Sequence, residues 1–367
     1  MNNLSDTALP RERFLAIDAL RTVVLLLLIV YHASVLFQPW SSKLGWIQLD
    51  PSITEIWVGM EMLNVWRIPI LFWLSGMGVR FAMERRNNRE LLKERSLRIL
   101  LPLVFGYFTF GPLCLALDQY ARGEPISYFP AQYHLWFLGN IFVYVVAFLP
   151  LLRWIQNRPT GWVNQTTAWL LRTGWYMPLF ALPYMLLVPI LRPEHFSSYA
   201  ETSHGFYYGA VCFLLGFLSA NAISTFQTSA IRWRWPLTMV CLLLFAFRMV
   251  ESEENILPHY WDLSFAALES MWWILAILGH AFHRWSNGFR GLRYWNIAVY
   301  PVYIFHQPLQ NALALLILVA SWNRWMKLTV LIIAILLGSL LLFEITRRLR
   351  WVRPLVGLKL HNPVKPM

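Results

Sequence analysis

Charge is scarce in this sequence. Asp, Glu, Lys and Arg supply 14% of its 367 residues, against about 25% in an ordinary soluble domain, so a large soluble globule is excluded at the outset. Cysteine is scarcer still. Cys114, Cys212 and Cys241 stand at unrelated spacings inside apolar stretches. That suits neither a disulfide framework nor a zinc site, and no metal centre is expected. Glycine-rich loops of the kind that cradle phosphate are missing too, as are internal repeats and low-complexity tracts, so the common nucleotide-binding motifs have no foothold.

What is present is apolar. Hydrophobic residues make up 57% of the chain, and long runs of them alternate with short basic clusters, as in proteins that cross a bilayer repeatedly. The formal net charge of +12 sits between those runs, which marks topology rather than a nucleic-acid partner. Several aromatics stand at the edges of the runs, among them Trp40, Trp46, Trp57 and Trp154, as side chains of a bilayer interface do. A helix needs about 20 residues to cross the hydrocarbon core. The runs predict an all-α, polytopic integral membrane protein with about ten transmembrane helices, near 16–37, 55–80, 96–117, 134–154, 174–191, 205–223, 236–250, 263–283, 296–319 and 326–346. The fifth contains Pro178, Pro183 and Pro189, and the seventh is short.

The first run is too long for the core of a signal peptide and lacks a cleavage pattern after it, so it is expected to persist as the first span. Residues 1–367 read as a single membrane-embedded domain without an appended soluble one. Grouping Arg11 and Arg13, Arg80 to Arg98 and the tail from Arg347 to Lys365 with the intervening even-numbered boundaries puts 23 of the 31 Lys and Arg on one side. By the positive-inside rule both termini are expected in the cytoplasm, with the loop from Glu251 to Asp262 outside.

Ionisable side chains inside a bilayer cost on the order of 2.5–3.5 kcal/mol at a helix centre, so each one is a candidate for function. The first span carries Asp18, Arg21 and His32. Eleven residues separate Arg21 from His32, about 20° from the same direction on a helix and about 16 Å along its axis. A polar stripe of this kind lines a cavity, or else packs as an ion pair with a satisfied histidine. Glu61 and Arg67 fall within the second span, His134 and Trp136 open the fourth, and Tyr303 and His306 lie midway along the ninth. Arg95 and Arg98 open the third on its basic side, where they read equally as an anion site or as topology charge.

At these residues the sequence resembles the acyltransferase-3 family of bacterial membrane acyltransferases. The resemblance runs through Arg21-x10-His32, Trp66-Arg67-Ile-Pro-Ile-Leu-Phe-Trp-Leu-Ser75-Gly76, Lys93-Glu-Arg95-Ser-Leu-Arg98-Ile-Leu-Leu-Pro102, His134-Leu-Trp136-Phe-Leu and Tyr300-Pro-Val-Tyr303-Ile-Phe-His306-Gln307-Pro308. Two of these stretches look most like the branch of glucan biosynthesis protein C, the periplasmic-glucan succinyltransferases. The resemblance implies a ten-span core in the inner membrane and transfer of an acyl group, acetyl or succinyl, from cytoplasmic acyl-CoA to a hydroxyl of an extracytoplasmic glycan or glycolipid. Acyl-CoA would be a donor substrate, with no permanently bound cofactor. It further implies His32 as general base, Arg21 with Arg95 and Arg98 on the donor, Arg67 at the thioester oxygen, Glu61 orienting His32, and His134, Trp136, Tyr303 and His306 around the acceptor. The alternatives are a transporter or flippase, or an acyltransferase with a peptide, antibiotic or lipid acceptor.

Overall fold

A computed structural model describes the backbone of residues 11–254 and 259–360 and the side chains of 15–251 and 261–360. The side chains of Arg11, Arg13, Ser252, Glu253 and Glu254, and residues 361–367 with Lys365, lie outside the described residues. Every regular element among the described residues is helical, in agreement with the all-α expectation.

The number of spans differs from the expectation of ten. Among the described residues, seven helices are long and apolar enough to cross a membrane: Leu15–Val35, Thr54–Met83, Asn88–Ala121, Tyr133–Gln156, Ile223–Glu251, Trp261–Arg284 and Arg324–Thr346. An eighth arises if the pair Trp162–Thr173 and Tyr176–Leu191, bent by 118°, is one broken span. The predicted run 174–191 is therefore one arm of a bent pair. The runs 205–223 and 296–319 fall in helices Ser203–Asn221 and Leu292–Leu318, which are long but not apolar enough to count. They bury His204, His306, Gln307, Gln310 and Asn311, polar groups that are costly to place against lipid, and His204, His306 and Asn311 find hydrogen-bond partners within the protein. Seven spans put the two termini on opposite sides of the membrane, and eight put them on the same side.

Prolines shape the interior by removing a backbone donor from the helix and so freeing the carbonyl four residues earlier. Three such carbonyls are taken by side chains. Pro69 frees Val65, whose oxygen accepts from the hydroxyls of Tyr199 (3.1 Å) and Ser270. Pro112 frees Phe108, which accepts from the Tyr128 hydroxyl at 3.0 Å. Pro308 frees Ile304, which accepts from His134 Nε2 at 3.0 Å. Each freed carbonyl cross-links elements distant in sequence, as buried breaks in membrane helices require. Close approach does the rest. A Cβ on Gly76 would lie 1.9 Å from the Phe213 carbonyl oxygen, and one on Gly216 would lie 2.1 Å from that of Trp73. The helices Arg67–Met83 and Ser203–Asn221 thus meet backbone to backbone through small residues, and this contact anchors Arg67 at the start of its helix.

Candidate active site

A cavity of about 1660 Å³ opens among these helices. Six of the residues singled out from the sequence line it: His32, Glu61, Arg67, His134, Trp136 and Tyr303. His306 stands behind His32, fully buried, with the two rings stacked at 5.2 Å between centroids. His134 lies edge-on to His306 at the same separation.

Hydrogen bonds fix the protons on these rings. The Tyr303 carbonyl, which can only accept, lies 2.6 Å from His306 Nδ1, so His306 donates there and its Nε2 carries a lone pair. That Nε2 is 3.0 Å from His32 Nδ1, which must then be the donor. A neutral His32 therefore holds its lone pair on Nε2, and its ring borders the cavity. His134 likewise donates Nε2–H to the Ile304 carbonyl, leaving a buried Nδ1 acceptor without a partner. The Tyr303 hydroxyl donates to the His134 carbonyl at 2.5 Å and locks the two helices together at this point.

Arg67 is 2% exposed and its guanidinium rests 3.6 Å from the centre of the Tyr31 ring. Nε and Nη1 are buried donors with no protein acceptor. Such donors are costly to leave unmade, and Arg67 lines the same cavity as His32.

Glu61 is placed differently from its expected role beside His32. Its carboxylate is 2.9 Å from Arg248 Nη1, and Arg248 Nε is 2.8 Å from Glu269. Glu269 also accepts from Trp273 Nε1 at 3.1 Å. One cation thus ties two carboxylates together, and the side chain hydrogen-bonded to His32 is His306 rather than Glu61. The sequence reading gave Arg248 and Glu269 no role, although both are ionisable residues inside predicted spans. A second group it passed over surrounds Asp118, a buried carboxylate just past the predicted end of the third span. Trp46, like Trp40 and Trp57, lines the cavity, and it lies edge-on to His32 at 5.5 Å.

The basic residues gather elsewhere. Arg21 donates to the Leu74 carbonyl at 2.8 Å and lies 3.4 Å from Asp18. Gly78 makes the space, since a Cβ there would stand 2.7 Å from Arg21 Nη2. Arg21, Arg95 and Arg98 are within electrostatic reach of one another. Glu94, 3.3 Å from Arg95 and 3.2 Å from Arg98, offsets only part of their charge. Arg98 lies in a π-helical turn, Ser96–Leu100, just before Pro102, whose missing amide loosens that stretch. These arginines do not line the cavity. Tyr300, in the field of Arg95 and Arg98, lies beside Tyr303 with its ring tilted by 44° and 6.5 Å between centroids, so the Leu292–Leu318 helix connects the basic group to the histidines.

A multi-pass helical membrane protein with an oriented imidazole and a buried guanidinium facing one cavity has the parts of a group-transfer enzyme. Residues 14–344 match the model of the acyltransferase domain of the acyltransferase-3 family, and the chain belongs to that family. No curated protein and no solved structure matches it. Membership supports acyl transfer over the transporter alternative and does not single out a branch of the family.

Proposed function

We propose that the chain is an integral membrane O-acyltransferase that uses acyl-CoA to modify a hydroxyl of an extracytoplasmic glycan or glycolipid. The observation that carries this reading is the His32–His306–Tyr303 chain, which leaves His32 Nε2 unprotonated at the wall of an aromatic cavity. In the reaction, Nε2 takes the proton of the acceptor hydroxyl as its oxygen attacks the thioester carbonyl. The Arg67 N–H groups stabilise the oxyanion that forms. The tetrahedral intermediate then expels the CoA thiolate, which takes up the proton, and the ester remains on the acceptor. Arg21, Arg95 and Arg98 suit the phosphates of the donor nucleotide on the cytoplasmic side, and an acetyl or succinyl group is the natural cargo. Supplying membranes with acyl-labelled CoA and analysing envelope glycans by mass spectrometry, with and without the protein, tests the proposal. Label and mass increment should appear together only with the protein. Label reaching no glycan or glycolipid would overturn the acceptor assignment.

His306 then has a positioning role. His306→Leu removes the acceptor for His32 Nδ1–H, and kcat should fall on the order of 10–100-fold, as when an outer partner of a functional histidine is lost. KM for the acceptor should change little, and His306→Gln, which restores an acceptor oxygen, should recover part of the rate. An increase in acceptor KM with unchanged kcat would make His306 a substrate contact instead.

A further inference from the structure

We infer that Trp46 and Tyr133 form a stacking subsite for a pyranose ring of the acceptor, held in place from behind by Asp118; the inference rests on the acyltransferase reading above. The two rings lie 19° from parallel with centroids 6.1 Å apart, and Trp46 meets His32 edge-on. Both line the cavity. A sugar ring has apolar faces and hydroxylated edges. Flat aromatic surfaces suit the faces, and Lys43, Asn64, Glu194 and Ser198 in the same cavity suit the edges. A sugar seated on these rings would present its hydroxyls to the base next to them.

The support behind the rings is specific. Asp118 is fully buried. Its Oδ2 accepts from the Tyr133 hydroxyl at 2.8 Å and its Oδ1 from Asn311 Nδ2 at 3.1 Å. The backbone N–H of Ile47, the residue after Trp46, also donates to it. One carboxylate therefore fixes both halves of the platform and ties them to the Leu292–Leu318 helix that carries His306. Tyr133 needs that hold, because its φ of 45° is one a bulky residue rarely adopts unless its surroundings impose it.

The test uses the purified full chain in detergent, with maltopentaose as the cyclic probe and sorbitol as an acyclic polyol. Saturation-transfer NMR should show the wild type contacting the oligosaccharide and not sorbitol. Trp46→Leu should weaken oligosaccharide binding about tenfold, the scale of one aromatic contact, with donor KM unchanged. Tyr133→Phe keeps the ring and removes the hydroxyl that Asp118 holds, so it should raise acceptor KM while leaving kcat near wild type. Equal binding of both probes, or full oligosaccharide binding by Trp46→Leu, overturns the subsite. Normal oligosaccharide binding by a chain that transfers no acyl group would leave the subsite standing and defeat the acyltransferase reading instead.

Discussion

His32→Gln should insert into the membrane, purify and bind acyl-CoA like the wild type, yet transfer acyl groups about 10²–10⁴-fold more slowly, the usual loss on removing a general base. Glutamine keeps a side chain able to hydrogen-bond to His306 Nε2 but has no nitrogen that can take up a proton. The loss should therefore fall on kcat. Single-turnover measurements with labelled acyl-CoA would read it. A variant that kept most of its rate, or one that lost folding along with rate, would remove the base assignment.

Much of this site could be read from the sequence because burying an ionisable group in a bilayer is costly. Arg21, His32, Glu61, Arg67, His134 and His306 stood out for that reason alone, and four of them line one cavity. Partnership was harder to read. Depth along a helix says nothing about which neighbour packs against it, so Glu61 was paired by expectation with His32 when its cation is Arg248. Helical angle misled in the same way at Arg21. It shares a face with His32 by periodicity, but its long side chain turns to the Leu74 carbonyl and toward Arg98, leaving it outside the cavity wall. Asp118 escaped notice because it sits one residue beyond an apolar run, where an acidic residue is ordinary. The span count failed for a related reason. Helices Ser203–Asn221 and Leu292–Leu318 are long, but polar residues such as His204, His306, Gln307, Gln310 and Asn311 leave them short of the hydropathy of a bilayer span, and the run 174–191 is only one arm of a bent pair. The prolines were readable throughout, but the side chains that answer their freed carbonyls come from other helices.

Arg248→Met should be the most destabilising of the substitutions considered, because it strands two carboxylates at once. Arg248 and Glu269 are almost fully enclosed, and Glu61 is 14% exposed in its side chain. Removing one partner of a buried ion pair typically costs about 3–5 kcal/mol, chiefly the penalty of the charge left behind. Here Glu269 would keep only its bond from Trp273, and Glu61 would face it without the intervening guanidinium. The detergent-solubilised variant should unfold at a clearly lower temperature than the wild type and give a poor yield from membranes. Replacing the whole network, with Glu61→Gln, Arg248→Met and Glu269→Gln together, should recover much of that loss, because exchanging a complete buried network for neutral groups is often close to neutral. Transfer by the triple variant then separates structure from chemistry. If it works near the wild-type rate, the network serves to hold the helices carrying Glu61, Arg248 and Glu269 around the cavity. If the single Arg248→Met variant melts like the wild type but no longer transfers, the network acts on the substrate, and Glu61 regains a part in the reaction through the cavity it lines.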